Sequence, residues 1–498
     1  MTETGGPEGN TDNPASGMAA AAGVRWMMGS QLFSQFVATG MNIALAWVLT
    51  RGDIGLMAVA TVVTALVDEL TNLGTGQAVI QRQELSRRTI DAVFSLNLLI
   101  GCSLAGAIFV FADQLAVLAG GSSAAAASSL LKILAFSVAV KSLAIVHLAL
   151  LRRNLRFAPL GVISIVGSLA HLAVTLSCAI GGLGAASMAY GSLTGSLISF
   201  CGATLVSRQP VRFRLKRSEL APIFGFSANL TLSNLFGFFT RNIDRSLVAR
   251  MLGLQAAGVY QVGVRTLRTP IVTLTSTVNG VLMPVLARLQ HDPEEQGRRF
   301  LQATAGLALL VFPAMTGLAI VADHLVAVIL SAEWADAGSV IAWMALVGML
   351  RTVAGLMGPM VTANGRTGVQ LGLNVLIGSA LIASYFVTTR ISLDAVVIGI
   401  LVVHVVVVPI QLSIVLRMSG IGWPDYVRAL APALGVAVVT SLCAGGTEWL
   451  LQDAASDLVT LAASVLAGAG IGLVVVLVSK PSGFRELAVI AGRRIGRS

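Results

Sequence analysis

Residues 48–60 read VLTRGDIGLMAVA, and residues 251–263 read MLGLQAAGVYQVG. Laid over one another at an offset of 203 positions, they put Leu49 on Leu252, Gly55 on Gly258 and Leu56 on Val259. The same offset lays SQLF (30–33) on SNLF (233–236). A chain that repeats itself in register over such a distance carries two structural copies, and the spacing says how large each copy is.

Composition tells what the copies are made of. Of 498 residues, 55% are hydrophobic and 11% charged, with a mean hydropathy of +0.84. A soluble chain carries about a quarter charged residues. Uncharged runs of the roughly 20 residues needed to cross about 30 Å of hydrocarbon recur from Val24 to Val478. Breaks at Gly, Pro and charge clusters divide them into about fourteen helices. The chain is therefore expected to be an all-α, polytopic membrane protein. The stretch DHLVAVILSAEWADAG (323–338) can be read as the end of one long helix or as an interfacial segment. The four cysteines lie in apolar runs without paired spacing, so disulfides are not expected.

The offset of 203 residues covers six such helices. Six is even, so the second copy begins on the same side of the bilayer as the first, and the copies are parallel repeats. The chain then divides into a disordered tail (1–23), an N-lobe (24–207) and a basic linker (208–219). A C-lobe (220–417), two extra helices (418–479) and a basic tail (480–498) follow. The tail 1–23 is polar and acidic, unlike a signal peptide, and the first span is expected to stay as an anchor.

Lys and Arg accumulate on the cytoplasmic side of a membrane protein. If the N-terminus is inside, Arg25 and the clusters at 82–88, 152–156, 208–217, 288–299, 366, 417–428 and 480–497 all fall on that side. The opposite loops keep Arg51, Arg241, Arg245, Arg250 and Arg390. Both termini are accordingly expected in the cytoplasm, and the net charge of +10 is accounted for by topology and anionic lipid, without nucleic acid.

Charges inside the spans are expensive and face a bundle interior or an aqueous cavity. At 1.5 Å of rise per residue, Lys141, Arg265 and Arg351 fall near mid-membrane, and Arg268 shares a helix face with Arg265. These four are the candidate substrate-binding cations. Asp68, comparably deep, together with Arg241 and Asp244 in helix seven, are candidates for coupling or charge balance; Arg241 and Asp244 can also form a local ion pair. Lys132 reads as a snorkelling surface residue, and His147, His171 and His404 as packing residues. Gly191 and Gly195 form a GxxxG helix-packing signal. A cavity with surplus cations selects an anion, and Arg forks onto phosphate oxygens. No nucleotide-binding loop, metal-ligand spacing or hydrolase elbow occurs, and every predicted loop is short. No cofactor is expected, and the chain is read as a transporter rather than an enzyme.

Several segments carry a family resemblance: ALAWVLTRGDIGLMAVATVV (44–63), AVIQRQELSRRTIDAVFSLNLLIG (78–101), LLRRNLRF (150–157), TRNIDRSLVARMLGLQAAGVYQVGVRTLRTP (240–270), VLMPVLARLQ (281–290) and EWADAGSVIAWMALVGMLRT (333–352). Together they resemble the bacterial polysaccharide-transport flippases, from the superfamily that also holds the multidrug extruders and the lipid II flippase. The resemblance implies a V-shaped pair of lobes around a cationic cavity. It further implies movement of polyprenyl-pyrophosphate-linked oligosaccharides across the bacterial cytoplasmic membrane, beside the glycosyltransferases or polymerase of a polysaccharide pathway. Asn242, Asp244, Gly258, Tyr260, Pro270, Pro284, Arg288 and Arg351 match positions of that pattern, whereas Arg265 rests on depth and charge. An ion-coupled drug extruder of the same superfamily is the alternative reading. A membrane polymerase or ligase would bring a large outer loop that this chain lacks.

Overall fold

In hydrocarbon every backbone N–H and C=O must find a partner within the chain, which leaves helices as the solution for runs of this kind. The computed structural model follows that rule. It describes residues 14–72, 79, 86–120, 124–154, 156–209, 212–214, 237–240, 242–330, 332–452 and 454–479. The tail 1–23 up to residue 13, most of the linker 208–219, and the tail 480–498 lie outside the described residues.

The helices are α1 (Pro14–Val48), α2 (Arg51–Asn72), α3 (Arg87–Val110), α4 (Ala112–Gly120), α5 (Ala124–Arg153), α6 (Phe157–Ile180) and α7 (Ala186–Ser207). After the helical stretch α8 (237–252, in which Arg241 lies outside the described residues) come α9 (Leu254–Arg288), α10 (Pro293–Ile320), α11 (Ala322–Ile329), α12 (Ala337–Gly355) and α13 (Met357–Ala363). The last four are α14 (Thr367–Thr388), α15 (Leu393–Met418), α16 (Trp423–Leu451) and α17 (Asp457–Ser479). Eleven segments among the described residues are long and apolar enough to cross a membrane, α12 and α13 counting as one. No strand occurs among the described residues.

Sequence chemistry sets the helix ends. Ser86 caps α3 by accepting from Thr89 N at 3.1 Å. Asp292 caps α10 ahead of Pro293, and Ser392 caps α15, each satisfying a backbone donor that the first turn leaves open. Gly253, at φ 92°, breaks the chain between α8 and α9, a conformation open to glycine at no steric cost. The ambiguous stretch 323–338 is not the end of one long helix: α10 ends at Ile320 with Val321 as its cap, the short α11 follows, and a 3₁₀ turn at Ala332–Trp334 leads into α12. Trp334 anchors that turn; it is fully buried, and its Nε1 donates to the Ala46 carbonyl at 2.8 Å. Lys132 on α5 lies 3.7 Å from Asp113 on α4. Ser128, donating to that carboxylate, and then Lys132 hold the Asp113 carboxyl below its ordinary range.

The residues fall into two units. The first contains 1–45, 63–116 and 125–235; the second contains 46–62, 117–124 and 236–498. Within the first unit α6 and α7 pack closely. A β-carbon on Gly191 would overlap Thr175 Oγ1 and sit 2.7 Å from His171 Cδ2, so the GxxxG signal marks a real helix crossing. Within the second unit α9, α12 and α15 pack in succession, and α16 joins α10 to α17.

The second unit also gathers the end of α1 and the start of α2 with the start of α9. A β-carbon on Gly55 would overlap the Leu254 carbonyl oxygen and lie 3.0 Å from Gly258 N; one on Gly258 would overlap the Arg51 carbonyl oxygen. Leu254 stands 203 positions after Arg51, and Gly258 203 after Gly55. The contact is thus reciprocal, each copy's glycine receiving the other copy's carbonyl, as at an interface between two like surfaces. Around it Arg51 Nη1 meets Asp336 Oδ2 at 2.7 Å and Trp47 Nε1 donates to Ile329 O at 2.7 Å.

Candidate functional site

Five helical segments of the second unit place polar groups around one small cavity of about 40 Å³, room for a few waters. Asp244 comes from α8, Tyr260 from α9, Arg351 from α12, Tyr385 from α14 and His404 from α15. Asp244 is buried and accepts from Tyr260 Oη at 2.8 Å and from Arg245 N at 2.9 Å. Arg245 reaches Asn242 Oδ1 at 3.4 Å, and Asn242 Nδ2 in turn donates to Phe238 O at 2.9 Å. Tyr385 and His404 are buried, and His404 Nδ1 lies 2.8 Å from Ile400 O. Arg351 is exposed at the rim and forms no ion pair with any described carboxylate. Two guanidiniums thus face one carboxylate, a net positive site lined by two tyrosines and an imidazole.

Small residues allow these helices to come so close. A β-carbon on Gly263 would overlap Val340, and one on Gly355 would lie 2.6 Å from Thr275 Cγ2. Both contacts join α9 to α12 and advance together, so the two helices run in the same direction. That register also sets depth. Arg265 is two residues past Gly263, and Arg351 eleven past Val340, so their backbones differ by about 13 Å along the axis at 1.5 Å per residue. Arg265 is exposed and stands apart from the Asp244 cavity. The side chain of Arg268 lies outside the described residues, as does Arg241.

Lys141 belongs to the first unit, and it is not a free cation there. Its Nζ donates to Asp68 Oδ2 at 2.9 Å, with the side chains 42% and 30% exposed. Asp68 is thus the described carboxylate facing the lysine. His147 is a packing residue, edge-on to Phe94 at 5.8 Å and Phe200 at 6.4 Å. His404 is likewise buried, and it also lines the Asp244 cavity. Tyr385 was not singled out in the sequence at all. Its signal is faint, being one of four tyrosines in the chain and set in the middle of an apolar run.

With this geometry in view, the comparisons are informative. Residues 44–339, more than half the chain, match the model of a family described as "polysaccharide biosynthesis protein". Among curated relatives, the chain is 26% identical over 339 residues to the lipopolysaccharide biosynthesis protein WzxC of Escherichia coli, covering 66% of this chain and 67% of that one. It is 28% identical over 302 residues to the succinoglycan biosynthesis transport protein ExoT of Rhizobium meliloti, covering 61% and 60%. The teichuronic acid biosynthesis protein TuaB of Bacillus subtilis is 26% identical over 332 residues, covering 64% and 67%. The chain thus spans about two thirds or less of these relatives' lengths. Among solved structures, the lipid II flippase MurJ in an inward closed conformation superposes with a TM-score of 0.75 at 14% identity, covering 93% of this chain and 99% of that one. An inward-facing multidrug MATE transporter superposes with a TM-score of 0.61 at 15% identity, covering 78% and 94%. The fold is that shared by these transporters, with the all-helical, repeat-built architecture that the sequence predicts.

Proposed function

The chain belongs to the polysaccharide biosynthesis protein family, and from that premise we propose that it is a flippase for a polyprenyl-pyrophosphate-linked oligosaccharide. Relatives are named for the biosynthesis of lipopolysaccharide, succinoglycan and teichuronic acid, three chemically different glycans. What such pathways can share is a lipid carrier and its phosphates. The glycan crosses the membrane while the polyprenyl tail stays in lipid, and both termini face the cytoplasm.

The observation that carries this reading is Arg351. It is a guanidinium eleven residues past Val340 in an apolar span, at a cavity rim beside His404 and Tyr385, with no described carboxylate paired to it. A fixed cation at that depth costs about 2.5–3.5 kcal/mol to insert, and an anionic ligand repays the cost. Arg265 extends the cationic face along α9. A drug extruder for organic cations fits less well, since the net charge around Asp244 is positive.

Transport needs two arrangements, one open to each side. The reciprocal glycine contact, with Arg51–Asp336 beside it, holds the α2 and α9 starts together in one of them. Its separation is the opening of that side.

The test is complementation. In a host that depends on such a carrier for its surface polymer, Arg351→Glu abolishes export at normal protein abundance, while Arg351→Lys keeps part of it. Wild-type export by Arg351→Glu would overturn the reading.

A further inference from the structure

The starts of α2, α9, α12 and α15 meet at one end of the second unit, around an open cavity of about 340 Å³. Among the described residues it shares no lining residue with the Asp244 cavity. Its polar wall is Arg51 of α2, Gln255 of α9, Asp336 and Ser339 at the start of α12, and Asp394 of α15. These groups are only partly engaged with one another. Arg51 Nη1 holds Asp336 Oδ2 at 2.7 Å, and Ser339 Oγ donates to Asp394 Oδ1 at 2.8 Å. A carboxylate can accept roughly four hydrogen bonds and a guanidinium can donate about five, so both acids and the arginine keep capacity for a ligand. Gln255 is exposed, and its amide has no hydrogen-bond partner among the described residues.

We propose that this cavity binds a sugar residue of the delivered glycan at the outer end of the second unit. The proposal rests on the flippase reading, whose topology puts these four helix starts opposite the basic clusters, and adds a glycan subsite to it. Charge chooses the class of ligand. Arg51 and Asp336 neutralise one another, and Asp394 lies in the first turn of α15, where the helix dipole offsets a negative charge. Neither a spare cation for phosphate nor an unmet acid for an amine is left. What remains is a set of planar donors and acceptors, Arg51, Gln255 and the two carboxylates, which match the neighbouring hydroxyls of a sugar ring. Leu252, Val259 and Leu393 add apolar surface for its C–H faces. The volume lies within the range of small-molecule sites, about 300–1,000 Å³. Affinity is low, because the cavity is open and water competes for every hydrogen bond, so the glycan can leave again. The carbonyl of Arg51 is the one packed on Gly258. A sugar held by Arg51, Gln255 and Asp394 together therefore stabilises the arrangement in which α2 and α9 touch. The delivered glycan thereby keeps its own way back closed.

The test is saturation-transfer NMR on the purified full chain, in a detergent without a sugar headgroup. The probe is the soluble oligosaccharide that mild acid releases from the cell's own lipid-linked precursor, which carries neither pyrophosphate nor polyprenyl tail. The expected result is saturation of sugar ring protons by the wild type, with a dissociation constant on the order of 1 mM. Gln255→Ala combined with Asp394→Ala removes two exposed hydrogen-bonding side chains and should weaken binding about tenfold. Ala256→Arg, whose side chain fills the cavity and pairs with its acids, should abolish it. Inorganic pyrophosphate should leave the sugar signal unchanged. A wild type that gives no saturation transfer overturns the inference, and so does wild-type affinity in these variants or displacement of the sugar by pyrophosphate. Each of these results leaves the flippase reading standing, because export and Arg351 decide that reading. A wild-type chain that fails to support export overturns the flippase reading itself.

Discussion

The backbone carbonyl of Arg51 occupies the space that a β-carbon on Gly258 would need. The repeat-mate of that contact, Gly55 against the carbonyl of Leu254, is equally tight. In both cases the neighbour is backbone, which cannot rotate away as a side chain can. Overpacking a tight contact costs typically 1–3 kcal/mol and sometimes more, and here the upper part of that range applies. Gly55→Ala and Gly258→Ala should therefore each favour the arrangement in which α2 and α9 are apart. Export is expected to fall at least tenfold at normal abundance, and a cysteine at Gln255 to react faster with a membrane-impermeant thiol reagent. Unchanged labelling would show that the contact is not a moving one.

Beside these glycines, burial and charge make different forecasts. Arg51–Asp336 is short, but Asp336 is 69% exposed, and exposed pairs are worth about 0–1 kcal/mol. Trp334 is fully buried and donates to Ala46 O; truncating such a residue costs about 3–5 kcal/mol. Asp336→Asn should lower export by less than roughly threefold, whereas Trp334→Ala should lower thermal stability in detergent by several degrees and remove export. The reverse ranking would mean that the ion pair, not the packed indole, holds this region.

Tyr260 and Asp244 allow a coupling to be measured. The tyrosine hydroxyl donates to a buried carboxylate, and hydrogen bonds to charged groups contribute about 1.5–3 kcal/mol. Tyr260→Phe is expected to destabilise by about 2 kcal/mol. In Asp244→Asn the second substitution should cost much less, a coupling of at least 1 kcal/mol in the double-mutant cycle. Additive effects would place the hydroxyl's importance elsewhere.

The offset of 203 residues laid Gly55 on Gly258 as repeat-mates; that the two segments also meet in a reciprocal contact is what the structure adds. In hindsight, a glycine kept in both copies fits a place where backbone approaches backbone. Spans were legible for the same reason that hydropathy works at all: an unpaired peptide group cannot sit in lipid. Charges were legible in depth but not in partnership. Lys141 and Asp68 are 73 positions apart, and no local pattern couples α2 to α5 at that level. The same holds for Tyr385 and His404, ordinary residues of α14 and α15 until the packing of α12, α14 and α15 brings them to Arg351. Depth follows from counting along one helix; pairing needs the rotation of two.

GxxxG is usually treated as one signal, yet its two glycines are unequal here. A β-carbon on Gly191 would overlap Thr175 Oγ1 and lie 2.9 Å from the His171 carbonyl, while one on Gly195 finds its nearest atoms, Gly167 O and His171 Cβ, at 3.5 Å. The first is a clash with backbone and a β-branched side chain; the second is ordinary contact. In lipid no hydrophobic driving force holds α6 to α7, so close packing is what keeps them together. Gly191→Ala should therefore cost about 1–3 kcal/mol, seen as a lower melting temperature and less protein in the membrane. Gly195→Ala should change both by little, within about 0.5 kcal/mol, and could stabilise slightly, since alanine is the better helix former. Equal losses from the two substitutions would mean that α6 and α7 cross elsewhere than at Gly191.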